Sequence, residues 1–215
     1  LMAAAGFTAQ AQEAATDKKA GENVEKIVVV GSRGAPRSVG ESAVPVDVIG
    51  ADEFTSQGPS DMMTLMSSVV PSFNVNSQPI NDASTLVRPA NLRGLPPDST
   101  LVLVNGKRRH RSAVITFLGS GLSDGSQGPD ISVIPSIALK QVEILRDGAA
   151  AQYGSDAIAG VINFRLKDAD EGGAVEIKTG QHYEGDGDLR QISANIGLPF
   201  TDNGFANFST EFKQS

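Results

Sequence analysis

Apolar positions along this chain fall into three regimes. Up to residue 26 they follow no period; from 40 to 167 they come in short runs punctuated by Gly, Pro, Asn and Ser; from 173 to 215 they alternate with polar residues. Each regime predicts a different kind of structure, because period 2 builds half-buried strands and period 3.6 builds helices.

In the middle regime Val44, Val46 and Val48 alternate as a half-buried strand should. Gly58-Pro59-Ser60 then opens a helix with Ser60 as its N-cap. Met62, Leu65, Met66 and Val69 recur at the i, i+3, i+4, i+7 spacing of one buried face, and Pro71 ends it. The methionines read as core filler and not as ligands. Leu101 to Val104 form an unbroken apolar run, as in a strand covered on both faces. Asn105-Gly106 directly after it predicts a hairpin, because both central residues of a type I′ turn need positive φ. Ile134-Pro135-Ser136-Ile137 predicts a short turn of helix. Strands are expected over Val142 to Arg146 and Gly160 to Lys167, joined by a bend at Ala149 to Gly154 whose small residues permit close backbone approach.

In the third regime Val175, Ile177 and Thr179 alternate with Glu176 and Lys178. Ile192, Ala194, Ile196 and Leu198 alternate with Gln191, Ser193 and Asn195; Ala206, Phe208, Thr210 and Phe212 alternate with Asn207, Ser209, Glu211 and Lys213. Segments of about 9 to 11 residues with this dyad match strands of a membrane barrel, apolar outward and polar inward, against the alternative of a soluble sandwich edge. Turns are signalled at 184–188 and 201–204. Asp186 and Asp188 lack the rest of a calcium ligand set. Three strands cannot close a barrel, which takes about eight, so this portion is expected to be only its opening.

The first segment, LMAAAGFTAQAQE, is small and apolar and then turns polar, like the tail of an export signal cut after Ala9-Gln10-Ala11. Residues 12–26 are polar and charged and read as a flexible arm. Ile27 to Val30 form an abrupt β-branched run. Two readings stand at this point: the first strand of the following domain, or a strand that adds to the open sheet edge of another protein.

Charge narrows the function classes. Lys plus Arg number 18 against 25 Asp plus Glu, a net charge of -7, which argues against nucleic acid as a partner. The basic run Lys107 to Arg111 is therefore read as a solvated or ion-paired strand end. With no Cys, and with His110 and His182 far apart, no metal site and no cofactor are expected. No apolar run is long enough for a spanning helix, so any spanning structure must be made of strands. Gly121-Leu122-Ser123-Asp124-Gly125 has the G-x-S-x-G form of a hydrolase nucleophile elbow, but it lies in a Gly- and Ser-rich stretch with no strand before it and no helix after it.

Three blocks carry a resemblance: Leu92-Arg93-Gly94; Leu101 through Asn105-Gly106-Lys107-Arg108; and Val142-Glu143-Ile144-Leu145-Arg146-Asp147-Gly148 through Tyr153-Gly154-Ser155 to Gly160-Val161-Ile162-Asn163. In order and spacing they resemble the plug domain of TonB-dependent outer-membrane receptors. The resemblance implies an α+β plug, a small mixed sheet with short helices, followed by the first antiparallel strands of an incomplete transmembrane β-barrel of about 22 strands. The expected organisation is a signal remnant at 1–11, an arm at 12–39, the plug at 40–168 and barrel strands at 169–215. Glu25, Lys26, Ile27, Val28, Val29, Val30 and Gly31 look like the TonB box, with Val30 where Thr is common. This context favours the partner-strand reading, the partner being the energy-transducing protein TonB in the periplasm.

By the same resemblance Arg93 and Arg146 occupy the places of two plug arginines that latch onto barrel glutamates. The implied function is energy-coupled uptake of a scarce small molecule or metal chelate (siderophore, cobalamin, haem or oligosaccharide) across the outer membrane of a Gram-negative bacterium, gated by the plug, with lipid around the barrel and no catalysis. The box and the passage into the barrel both belong on the periplasmic side. The loops 76–85, 95–99 and 112–130 are then expected to face the ligand, through Asn81, Asp82, Pro97, Asp98, Ser120, Ser123, Asp124 and Ser126. A signalling receptor of the same family needs a folded domain before the box, for which the residues between Gln12 and Ile27 are too few. A secreted hydrolase acting through Ser123 is the remaining alternative.

Overall fold

Two polar pairings pin the centre of this fold. Asn105 Oδ1 accepts the Leu166 N–H and Asn163 Oδ1 accepts the Gly106 N–H, both at 2.9 Å, tying a hairpin turn to the far end of a neighbouring strand. The structure is a computed structural model that describes residues 27–28, 37–38, 45–55, 62–75, 87–116, 121–146, 149–181, 188–201 and 204–214. The expected signal remnant, the polar arm up to residue 26, Val44 and Ser60 lie outside them.

In chain order come β1 (Ile27–Val28), β2 (Arg37–Ser38), β3 (Val46–Gly50), α1 (Ala51–Thr55), α2 (Met62–Val69), β4 (Phe73–Asn74), β5 (Asn91–Leu92), β6 (Thr100–Val104) and β7 (Lys107–Arg108). They are followed by β8 (Leu139–Leu145), α3 (Ala150–Tyr153), β9 (Gly160–Leu166), β10 (Gly173–Gly180), β11 (Leu189–Thr201) and β12 (Gly204–Gln214). One sheet has the order β3-β8-β9-β6-β7, in which β6 and β9 run parallel and the other neighbours antiparallel.

Both faces of that sheet are covered, which is why its strands read as unbroken apolar runs. Val102, Val142, Ile144, Ile162 and Phe164 pack on one face with Leu65 and Met66 of α2. Leu101, Leu103, Leu145 and Val161 pack on the other with Ala149 and Ala157. Full burial of a side chain such as Leu65 or Phe164 stabilises the fold by about 1.5–3 kcal/mol. The hairpin between β6 and β7 has Asn105 at φ 50° and Gly106 at φ 77°, the positive pair that the Asn-Gly signal requires.

Some elements differ from expectation. β8 starts at Leu139, directly after a 3-10 turn at Ser136–Ala138, and ends before Arg146. The lone polar pair Lys140-Gln141 hid its beginning from a search for apolar runs. The short α1 carries too few residues to show a helical period. β11 has 13 residues, more than the expected span.

Besides two-stranded pairings of β1 with β2 and β4 with β5, a second larger sheet has the order β10-β11-β12, antiparallel throughout. Its alternation is resolved into two faces. Val175 and Ile177 are each 71% exposed and Phe208 and Phe212 stand outward with Ile192 and Ile196, whereas Gln191, Ser193 and Asn195 are buried on the opposite face.

Candidate functional site

Because β6 and β9 are parallel, Thr100 lies beside Gly160 at one end of the sheet and Val104 beside Phe164 at the other. The chain leaves for β10 from the second end. The segments before β6, after β7 and before β9 therefore gather at the first end, opposite that exit. They are tied together: Gln127 N–H donates to Asp98 Oδ1 at 3.0 Å, Gln127 Nε2 to the Ser112 carbonyl at 2.7 Å, and Thr116 N–H to the Ser126 carbonyl at 3.0 Å. Gly128 fits only as glycine, since a Cβ there lies 2.6 Å from side-chain atoms of both Pro89 and Pro97.

Of the residues expected to face the ligand, Asp124 is exposed and Asp98 half-buried. Pro97, Ser123 and Ser126 are buried. The two hydroxyls turn inward: Asn91 Nδ2 donates to Ser123 Oγ at 2.9 Å, and Ser126 Oγ donates to the Ser123 carbonyl. The loop thus offers solvent its acidic tip and keeps its serines for its own packing. Asn81, Asp82 and Ser120 lie outside the described residues. The G-x-S-x-G stretch is a 3-10 turn at Gly121–Ser123, and its Ser123 is 2% exposed, so no nucleophile is presented there.

Arg93 and Arg146 come together at the same end of the sheet. Arg93 is one of two non-glycine residues with positive φ among the described residues, and its Nη1 donates to the Arg146 carbonyl at 2.8 Å. Arg146 Nη2 donates to Asp47 Oδ1 at 2.6 Å, an ion pair between the C-terminal end of β8 and β3. Within the described residues these two arginines are linked to each other and to a carboxylate of their own sheet.

Three polar groupings escaped the sequence reading. Glu143, fully buried on β8, accepts from Gln141 Nε2 at 2.8 Å and from Asn163 Nδ2 at 3.0 Å. Ser136 Oγ donates to Glu211 Oε2 of β12 at 3.3 Å, and Gln191 Nε2 of β11 donates to the same oxygen at 3.1 Å, which joins the two sheets. Lys140 Nζ bridges both oxygens of Asp168 at 2.8 and 3.1 Å. That hydrogen bond holds the Asp168 carboxyl below its ordinary value of 3.8. The only sequence signal for the first was a Glu and an Asn, each set in an apolar strand.

The β-branched run is described at Ile27 and Val28, which pair antiparallel with Ser38 and Arg37. Glu25, Lys26, Val29, Val30 and Gly31 lie outside the described residues. No described helix is long and apolar enough to cross a membrane. No group of His, Cys, Asp and Glu among the described residues is placed to hold a metal ion.

Residues 38–161 match the family model of the TonB-dependent receptor plug domain. The chain is 31% identical over 180 residues to the rhizobactin receptor of Rhizobium meliloti, covering 81% of this chain and 21% of that protein. It is 26% identical over 166 residues to the ferric enterobactin receptor of Pseudomonas aeruginosa, covering 76% of this chain and 22% of that protein. Among solved structures, the siderophore receptor PirA from Acinetobacter baumannii superposes with a TM-score of 0.57 at 25% identity, over 78% of this chain and 24% of that one. A ferric enterobactin receptor from Pseudomonas aeruginosa in complex with enterobactin gives a TM-score of 0.59 at 22% identity, over 80% of this chain and 25% of that one. The chain spans a quarter or less of these proteins.

Proposed function

Because this chain belongs to the TonB-dependent receptor plug domain family, we propose that it is the plug and the first wall strands of an outer-membrane receptor that imports a ferric siderophore. The observation that carries the reading is the junction of the two sheets. A doubly covered plug sheet is followed at once by antiparallel strands whose apolar face is exposed and whose polar face turns toward the plug through Glu211 and Ser136. That is the arrangement of a barrel wall with lipid outside and a folded stopper inside. Siderophore is favoured over cobalamin, haem or oligosaccharide by the names of the relatives just given.

In this reading the plug spans 40–168, the barrel begins at 169, and the protein performs no catalysis. The loops at the exit-distal end of the sheet face the outside and meet the ligand. Arg93 and Arg146 act as the latch: their guanidiniums exchange Asp47 and a backbone carbonyl for carboxylates of the later barrel wall. Glu25 to Gly31 form the box that TonB grips by strand addition, for which a main chain with free N–H donors is required.

The deciding experiment is Val28→Pro in the full-length receptor, which removes one ladder donor and fixes φ. Energised uptake of the radiolabelled ferric siderophore is expected to fall to the level of a strain lacking TonB, with equilibrium binding unchanged. Uptake at the wild-type rate overturns the assignment of the box.

A further inference from the structure

A small pocket at the exit-distal end of the plug sheet is lined by Asp98, Thr100, Arg108, Arg109, Arg111 and Asp156 and has a volume of about 40 Å³. Two features set it apart. Thr100 is 3% exposed, and its Oγ1 has no hydrogen-bond partner. Buried hydroxyls are nearly always paired with protein or with a bound small molecule, so this one keeps a donor available to whatever enters the pocket. The charge around it is also unbalanced. Arg108 and Arg111 share the single carboxylate of Asp156, the second at 3.6 Å, while Arg109 has no ion-pair partner among the described residues. Against the two aspartates, three guanidiniums leave an excess of one positive charge.

The walls are fixed before anything binds. Arg108 is held from both ends, by Asp156 and by the Tyr153 carbonyl, which Nη2 reaches at 3.3 Å. Asp98 is engaged by the Gln127 N–H. The Arg109 N–H is spent on the Val102 carbonyl, which ties this stretch of chain to β6. With the frame held in this way, the Arg109 side chain is the main group left to settle when a ligand binds.

We propose that this pocket is an oxyanion subsite that takes one carboxylate of an incoming ligand, with the body of the ligand outside. The size supports a single small group: a water needs about 10–15 Å³ of such space, so the pocket takes a few waters or one small polar group. One water there satisfies Thr100 but leaves Arg109 uncompensated. A carboxylate does both, with Oγ–H and guanidinium N–H donating to its two oxygens. The proposal deepens the receptor reading by naming the ligand's recognised group, yet its test involves neither TonB nor uptake, so the two can fail separately.

The test is saturation-transfer NMR on the full-length receptor in detergent, with citrate as probe and its neutral triamide as control, at fixed ionic strength. Citrate is expected to give a saturable signal and the triamide none. Arg109→Gln and the near-isosteric Thr100→Val should each raise the citrate Kd by about tenfold or more, the scale of one lost hydrogen bond to a charged group. No citrate signal, an equal signal from the triamide, or a smaller change in either variant overturns the subsite. Because Thr100→Val keeps the volume of the core, a folding defect in the arginine variant does not decide the outcome.

Discussion

Arg93 Nη1 lies 2.8 Å from the carbonyl oxygen of Arg146, and Arg146 in turn reaches Asp47 on the neighbouring strand. The Arg93 guanidinium thus rests on the main chain of Arg146, while the Arg146 guanidinium is paired with the Asp47 carboxylate. Asp47→Ala removes the compensation. The pair is 43% and 37% exposed at its side chains, so solvent screens it, and a loss of about 0.2–1 kcal/mol is expected, as for other exposed pairs. A double-mutant cycle over Asp47→Ala and Arg146→Ala, read by urea unfolding, should return a coupling energy in that range.

Glu143 and Asn163 should be far less tolerant. Asn163→Leu deletes a donor to a fully buried carboxylate and also the acceptor of the Gly106 N–H, so it should cost about 1–3 kcal/mol or more. Asn163→Asp keeps the volume but sets a second carboxylate within hydrogen-bond reach of the first. Two such groups cannot both ionise cheaply, so one is driven to keep its proton. The destabilisation of that variant should therefore be large at neutral pH and shrink as pH falls, visible in the urea midpoint measured across pH.

Two glycines with positive φ should separate backbone strain from steric exclusion. Gly94, at φ 69°, has nothing within 4 Å of a built Cβ, so Gly94→Ala should cost only the left-handed penalty of about 1–2 kcal/mol. Gly160, at φ 146°, would bring its Cβ to 2.5 Å from the Leu145 carbonyl oxygen and 2.6 Å from Leu92 Cδ2. Gly160→Ala must also push β8 away from β9, and a loss of about 3 kcal/mol is expected. Amide hydrogen exchange in β8 and β9 of the full-length receptor should rise for Gly160→Ala and change little for Gly94→Ala.

What the sequence made legible was local. Asn105-Gly106 carries its own φ requirement, Met62 to Val69 carries a helical period, and the alternation around Ile192 and Phe208 carries a facing, so each could be read within about ten residues of chain. The contacts that join distant segments left no such trace. Ser136 is one serine among many until the fold brings Glu211 to it, 75 residues later. Glu143 is a single Glu within an apolar strand until the register sets it opposite Asn163. The loop serines failed for a related reason. A polar, glycine-rich composition says that a segment can leave the core, but Ser123 and Ser126 bond inward and Asp124 forms the exposed tip.

Lys140 and Asp168 give a pH prediction at the passage between the two sheets. The Lys140 hydrogen bond lowers the Asp168 pKa on folding, so its contribution is fully present above the unfolded value of 3.8 and is lost as pH falls through the lower folded value. Both side chains are about half exposed, and the effect should stay within roughly 1 kcal/mol. Asp168→Asn should be slightly less stable than the wild type at pH 7, and the two should converge in strong acid. Lys140→Met should raise the Asp168 titration, followed by carboxyl carbon NMR, because its largest lowering cause is removed.

The last prediction concerns the outward face of β10 to β12. Native charges already stand at inward positions, Glu176, Lys178, Glu211 and Lys213, whereas the outward positions along β12 from Ala206 to Phe212 hold none. Phe208 is 60% exposed and sits opposite Ile196 in the register. If this face meets hydrocarbon, Phe208→Arg buries a guanidinium in lipid at a cost of about 2–4 kcal/mol near the midplane, less toward the headgroups. Ser209→Lys, one residue along, points its charge to the polar interior and forfeits only the hydrogen bond from Asn195 Nδ2 at 2.8 Å. The readout is the fraction of full-length receptor that assembles as a heat-modifiable, detergent-resistant barrel in outer membranes. Phe208→Arg should reduce it sharply and Ser209→Lys little. Equal tolerance of both would mean that water covers the outer face, and the three strands would then belong to a soluble sheet.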